Sequence, residues 1–196
     1  MSIYLYDEAI TAKFKSWTEQ TDLHVYSPDD TQRLFEVQAD EHNDKPIELP
    51  LICLRRNPTY TLVVPNRETL AYDGFTPQAN YAKTLQINAI PIILSYQLDV
   101  YTRYLKEGDE YMRNLIFNIT NFPSVTVHMT YNGYEFSHDS VIEMSPEIED
   151  NSNVSERLIQ GQFTRFTMTL NVNDAYLWDI RYRDNYHIID TEITDW

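Results

Sequence analysis

The stretch 90–119, IPIILSYQLDVYTRYLKEGDEYMRNLIFNI, changes period midway, and that change constrains the chain more than any other feature. In its first half Ile92, Leu94, Tyr96, Leu98 and Val100 share one face, while Ser95, Gln97, Asp99 and Tyr101 share the other. That alternation is the pattern of a half-buried strand. From Leu105 the apolar positions become Leu105, Gly108, Tyr111, Met112, Leu115, Ile116 and Ile119, spaced three and four apart as on one side of an amphipathic helix. A long strand that hands over directly to a helix predicts a sheet with helices packed on it.

Composition narrows the class. A chain of 196 residues with 42% apolar content can bury one sizeable core, and it reads as one domain over 1–177 followed by an aromatic, acidic extension over 178–196. Fifteen tyrosines and eight phenylalanines against four glycines favour sheets over a low-complexity polymer. The formal charge of −15 repels phosphate backbones, and no basic stripe offsets it, so sequence-specific nucleic-acid binding is not expected. Arg55 and Arg56 form a local basic pair, read as surface charges on a strand. The single cysteine, Cys53, sits between Ile52 and Leu54 as a small buried hydrophobe and fits a reducing compartment. The amino terminus turns acidic within seven residues, unlike a signal peptide, and the apolar runs are too short to span a bilayer. A soluble protein with no membrane partner is the expectation.

The remaining pattern predicts an α+β fold: a twisted, mainly antiparallel sheet with an N-terminal helix and one central helix packed on it. Asp7 is the expected N-cap of a helix to about Gln20, with Ile10, Phe14 and Trp17 on its buried stripe. Leu23 to Val37 reads as short extended pieces around a turn at Ser27-Pro28-Asp29-Asp30, and Asp40 to Lys45 as a loop. Leu49 to Arg56 and Tyr60 to Val64 read as strands separated by Asn57-Pro58, and Pro65 to Lys83 as an irregular connection around Gly74 and Pro77. Phe122-Pro123 ends the central helix. Val125, Val127, Met129 and Tyr131 then alternate with polar residues up to Asn132-Gly133, a hairpin signal with Tyr134 to Met144 as partner strand. Pro146 to Arg157 reads as an acidic loop, and Phe166, Met168, Leu170 and Val172 mark a last half-exposed strand. The closing stretch carries Tyr176, Trp178, Tyr182, Tyr186 and Trp196, suited either to an interface or to a further strand on the chain's own sheet.

Catalytic signatures are missing from this pattern. The five histidines have no metal-ligand spacing, His138-Asp139-Ser140 holds triad residue types at adjacent strand positions that point to opposite faces, and no phosphate-binding glycine loop occurs. Neither a metal nor a cofactor is expected, and thirty carboxylates read as a solvated surface rather than as an acid/base pair.

The order of segments resembles that of tail-terminator, or tail-completion, proteins of long-tailed bacteriophages. The segments concerned are an amino-terminal helix, LPLICLRR at 49–56, IPIILSYQLDVYTRY at 90–104, a helix opening around Glu107, and a closing strand RFTMTLNV. The resemblance covers about residues 1–177. It implies a non-enzymatic virion subunit that closes with its own copies into a ring, in that family a hexamer. Such a ring caps the tail tube, stops its growth and offers the head-docking surface. Its implied partners are tail-tube protein and a head-completion or stopper protein, with sheath protein as a further candidate, and DNA would pass through the lumen. The implied location is the tail or neck of a virion assembled in the host cytoplasm. The alternatives are another phage structural subunit, from the baseplate or the head connector, and, less favoured, an enzyme. Ring closure needs two complementary patches. The candidate interface residues are Asp99, Arg103 and Glu107 on the polar side of the central unit, and Glu147, Glu149, Asp150, Glu156 and Arg157 in the acidic loop.

Overall fold

The computed structural model describes residues 3–39, 48–63, 70–74, 85–131, 134–152 and 163–178. In chain order its elements are α1 (Ile3–Thr18), β1 (His24–Tyr26), α2 (Pro28–Ala39), β2 (Leu51–Arg56), β3 (Thr61–Leu62), β4 (Leu70–Gly74), β5 (Leu85–Thr102), α3 (Leu105–Asn121), β6 (Ser124–Tyr131), β7 (Tyr134–Asp150) and β8 (Thr164–Trp178). The eight described strands form one curled sheet in the order β1-β2-β5-β8-β7-β6, with β3 and β4 extending it alongside β5. All pairings are antiparallel except β1 with β2, so the α+β class read from the sequence holds.

Period-two alternation buries one face of this sheet. Ile92, Leu94, Tyr96, Leu98 and Val100 of β5 are at most 1% exposed, and Ile52, Leu54, Met168, Leu170 and Val172 lie beside them on the neighbouring strands. Each such side chain contributes about 1.5–3 kcal/mol by leaving water. α1 and α3 cover this face. α3 buries Gly108, Met112, Leu115 and Ile119, whereas Leu105, counted on the apolar stripe, is exposed at the helix start. α1 buries Ile3, Tyr6, Ile10 and Phe14, and Trp17 meets Phe14 edge-on with ring centroids 5.1 Å apart. Ile3 and Tyr6 continue the stripe backwards, so burial starts the helix before Asp7, which is an interior residue and not the N-cap.

Three further expectations change, and one left open is decided. Ser27-Pro28-Asp29-Asp30 opens a helix rather than a turn between extended pieces. The Ser27 hydroxyl oxygen accepts the Asp30 N–H at 3.1 Å, its carbonyl accepts the Thr31 N–H at 2.8 Å, and Pro28 takes the first helical position, where no donor is needed. Within the stretch read as irregular, Leu70–Gly74 pairs with the first residues of β5, which begins five residues ahead of Ile90. The supposed acidic loop from Pro146 is strand as far as Asp150. β7 runs past Met144 through a register shift before Ile148 and stays paired with β8, because the ladder supplies partners that a loop would have to find in water. β8 likewise continues to Trp178, paired with Ala89, so Tyr176 and Trp178 belong to the sheet. At the hairpin, Tyr131 pairs with Tyr134. The turn residues Asn132 and Gly133, the loop Asp40 to Lys45, Val64, Pro77, and the aromatics Tyr182, Tyr186 and Trp196 lie outside the described residues.

Candidate functional site

The opposite face of the same strands carries the polar residues of the alternation, and among the described residues α2 covers it at one corner. There Leu34 of α2 packs with Leu51, Cys53 and Tyr101, joined by Tyr26, Leu49 and Phe163. Cys53 is buried, as expected of it. Beyond that corner the pairing register sets side chains in rows across the strands. One row runs Arg55, Gln97, Thr169; the next runs Cys53, Asp99, Thr167, Glu149; a third runs Leu51, Tyr101, Arg165.

Asp99 lies at the centre of these rows and is 0% exposed. Its Oδ1 accepts from Arg165 Nε and Nη2, each at 3.2 Å, from the Thr167 hydroxyl at 2.7 Å and from the Gln97 amide at 3.1 Å. Arg55 Nε stands 3.6 Å from Oδ2. The Arg165 guanidinium lies over the Tyr101 ring, 5.5 Å from its centroid, and Arg55 Nη2 donates to the Tyr101 hydroxyl at 3.4 Å. A buried carboxylate is tolerable only with such compensation. Donors from three neighbouring strands surround it, so the arrangement ties β2, β5 and β8 in register.

A second linkage joins helix to sheet. Asp7 of α1 pairs with Arg56 and accepts from the Tyr96 hydroxyl at 2.8 Å. Burial pushes the Asp7 carboxyl above its usual range, against the pull of the Tyr96 and Arg56 contacts. Burial, and then the Asp7 charge, raise the Tyr96 phenol. Arg55 and Arg56, read from sequence as surface charges, therefore each serve a carboxylate.

The candidate interface residues separate into groups. Asp99 is interior and is withdrawn from any surface role, because its position in the middle of three paired strands outweighs the polar alternation that singled it out. Arg103 is exposed, and its N–H is accepted by the Glu107 carboxylate at 3.3 Å, so Glu107 helps to start α3. Glu147, Glu149 and Asp150 are exposed on β7, not on a loop. Asp150 accepts the Ser152 hydroxyl and, at 3.0 Å, its N–H, which together hold the carboxyl below the usual range. Glu156 and Arg157 lie outside the described residues. Glu147 and Glu149 line a polar hollow of about 260 Å³ with Gln97, Asn151, Thr167 and Thr169, directly beside the Asp99 row. A larger open groove of about 680 Å³ runs between the end of α1, β1 and α2, past Lys15, His24 and Arg33.

Arg165, Arg55 and Thr167 were missed as partners of Asp99. A signal existed: Asp99 is the one charged residue of β5 and Arg165 the one basic residue of β8, and single opposite charges on two long strands are candidates for each other. The histidine triplet is resolved as expected. His138 and Ser140 both donate to the Asp174 carbonyl, at 2.8 and 3.4 Å, while Asp139 accepts from Thr126 on the other face. Among the described residues no three metal-ligating side chains converge, and no helix is long and apolar enough to cross a membrane. No protein-family model matches the sequence, and a search of curated proteins finds no match.

Proposed function

We propose that this chain is a structural subunit of a phage tail, a terminator that closes into a ring on the last ring of the tail tube, stops its growth and presents the surface to which the head docks. The observation that carries this reading is where the family-like segments fall. LPLICLRR, IPIILSYQLDVYTRY and RFTMTLNV become β2, β5 and β8, three adjacent strands, and each contributes one charged member of the Asp99 cluster: Arg55, Asp99 and Arg165. The resembling residues thus form one physical unit, the rigid centre of the sheet. Around it stand features suited to assembly. Tyr60, Leu62, Val63 and Ile90 expose apolar surface at one end of the sheet, and Tyr104, Phe117 and Phe122 do so around α3. The charge of −15 suits a lumen that does not retain passing DNA.

Electron microscopy of lysates from the parental phage with this gene deleted tests the reading. Filled heads beside unattached tails of abnormal length are expected. Heads with no assembled tails would move the protein to the baseplate, and normal infectious particles would overturn a structural role.

A further inference from the structure

The main strand path of the sheet ends in two unlike strands. β1 has three residues and offers little, whereas β6 has eight, SVTVHMTY, pairs with β7 without a register shift, and holds no lysine, proline or acidic residue. Natural edge strands of that length are normally blunted by one of these devices. The hydrogen-bond parity shows which main-chain groups are open. The Ile142 N–H donates to the Pro123 carbonyl at 2.9 Å, so 123 and 142 form a bonded pair, and in an antiparallel ladder every second residue of β6, at 125, 127, 129 and 131, also faces β7. Residues 124, 126, 128 and 130 therefore point their N–H and C=O groups outward. The Ser124 carbonyl fits this parity, since it accepts from Lys13 Nζ on α1. From 126 to 130 no described strand meets that edge.

We infer that β6 pairs with β6 of a second copy of this chain around a two-fold axis, with His128 opposite His128. Three constraints select this arrangement. Outward-facing residues must meet one another, so even positions pair with even positions, and with the Ser124 carbonyl taken by Lys13 the pairing centres on the open stretch 126–130, which sets 126 opposite 130. Faces must match, so Val127, fully buried on the core side, meets Met129 on the core side of the partner strand. A chain carrying −15 meets its own copy with least repulsion along a seam without carboxylates, and β6 is the described edge strand of five or more residues that has none. The contact is isologous, and so distinct from the rotation-closing contact of a ring.

Cysteine cross-linking of the full chain reads the register. Opposed residues of a bonded pair lie about 5.5 Å apart at Cα, inside the span a disulfide bridges. The native Cys53 is buried and does not interfere. His128→Cys is expected to form a disulfide-linked dimer at twice 23.2 kDa under mild oxidation. Thr126→Cys, with its sulfurs held about 14 Å apart along the seam, should react at least about tenfold more slowly. An equimolar mixture of Thr126→Cys and Thr130→Cys should cross-link nearly as well as His128→Cys. His128→Pro removes one outward N–H and should give a monomer with unchanged far-UV circular dichroism. Equal rates for His128→Cys and Thr126→Cys, a wild-type chain that is monomeric at micromolar concentration, or a dimer indifferent to His128→Pro would each overturn the inference. If His128→Pro fails to fold, the cysteine rates still decide. Rings whose His128→Cys form does not cross-link would overturn it while favouring the terminator reading.

Discussion

The two faces of the central sheet are made by the same strands, and they are held together in different ways. On the face under α1 and α3, Leu98 is one of many interchangeable apolar residues, each stabilised by area removed from water. On the other face its neighbour Asp99 is equally buried, but it is held by named donors at fixed distances. Apolar burial is non-directional and tolerates repacking. A buried carboxylate specifies which atoms must stand where, and so fixes register in a way that burial alone does not.

Substitutions can break that comparison. Asp99→Ala should have the largest effect, about 3–5 kcal/mol, because it leaves the buried Arg165 charge without its partner. Urea unfolding measures it, and a loss below that for Leu98→Ala would mean that the polar face contributes less than the apolar one. Leu98→Ala itself should cost about 2–5 kcal/mol by cavity formation, toward the lower end if α3 settles into the space.

Gly108→Ala tests how closely α3 lies on the sheet. A Cβ there would fall 2.6 Å from Phe166 Cε2 and 3.0 Å from Thr102 Oγ1, so overpacking should cost about 1–3 kcal/mol despite the better helix propensity of alanine. Thermal unfolding will show a stabilised protein instead if the Phe166 ring swings aside freely.

The smallest effect concerns Asp7 and appears as a slope. Its carboxyl is raised in the folded state, so the folded protein binds that proton more tightly than the unfolded chain does. The associated stability is fully present below the unfolded value of 3.8 and is lost as pH rises through the higher folded value. Asp7→Asn lacks this term, so the stability of the variant relative to wild type should rise with pH across that window. A pH series of urea melts on both proteins checks the sign, and a falling difference would place the Arg56 and Tyr96 contacts above burial in importance.

Legibility followed the strength of the periodic signal. The strand at Ile92 to Val100, the helix from Leu105 and the hairpin around Asn132-Gly133 were readable because each has a local cause: alternation, a stripe of three and four, or turn chemistry flanked by alternating residues. The helix after Ser27 was misread because Ser-Pro-Asp-Asp suits a turn and an N-terminus equally well, and the residues that follow decide between them only once Leu34 has an apolar corner to cover. Glu147 to Asp150 misled because acidic residues around a proline resemble a loop, whereas β8 supplies a ladder that keeps them extended.

By itself the sequence determined the α+β class, the apolar face and most element positions, since hydropathy period and turn residues act over a few neighbours along the chain. Only the tertiary structure decided that β2, β5 and β8 lie side by side, that Asp99 is interior with Arg165 and Arg55 as its partners, and that β6 ends the described strand order with no described strand on its outer side. The physical reason is range: Asp99 and Arg165 are 66 positions apart, and the ion pair between them exists only after two strands have met in register.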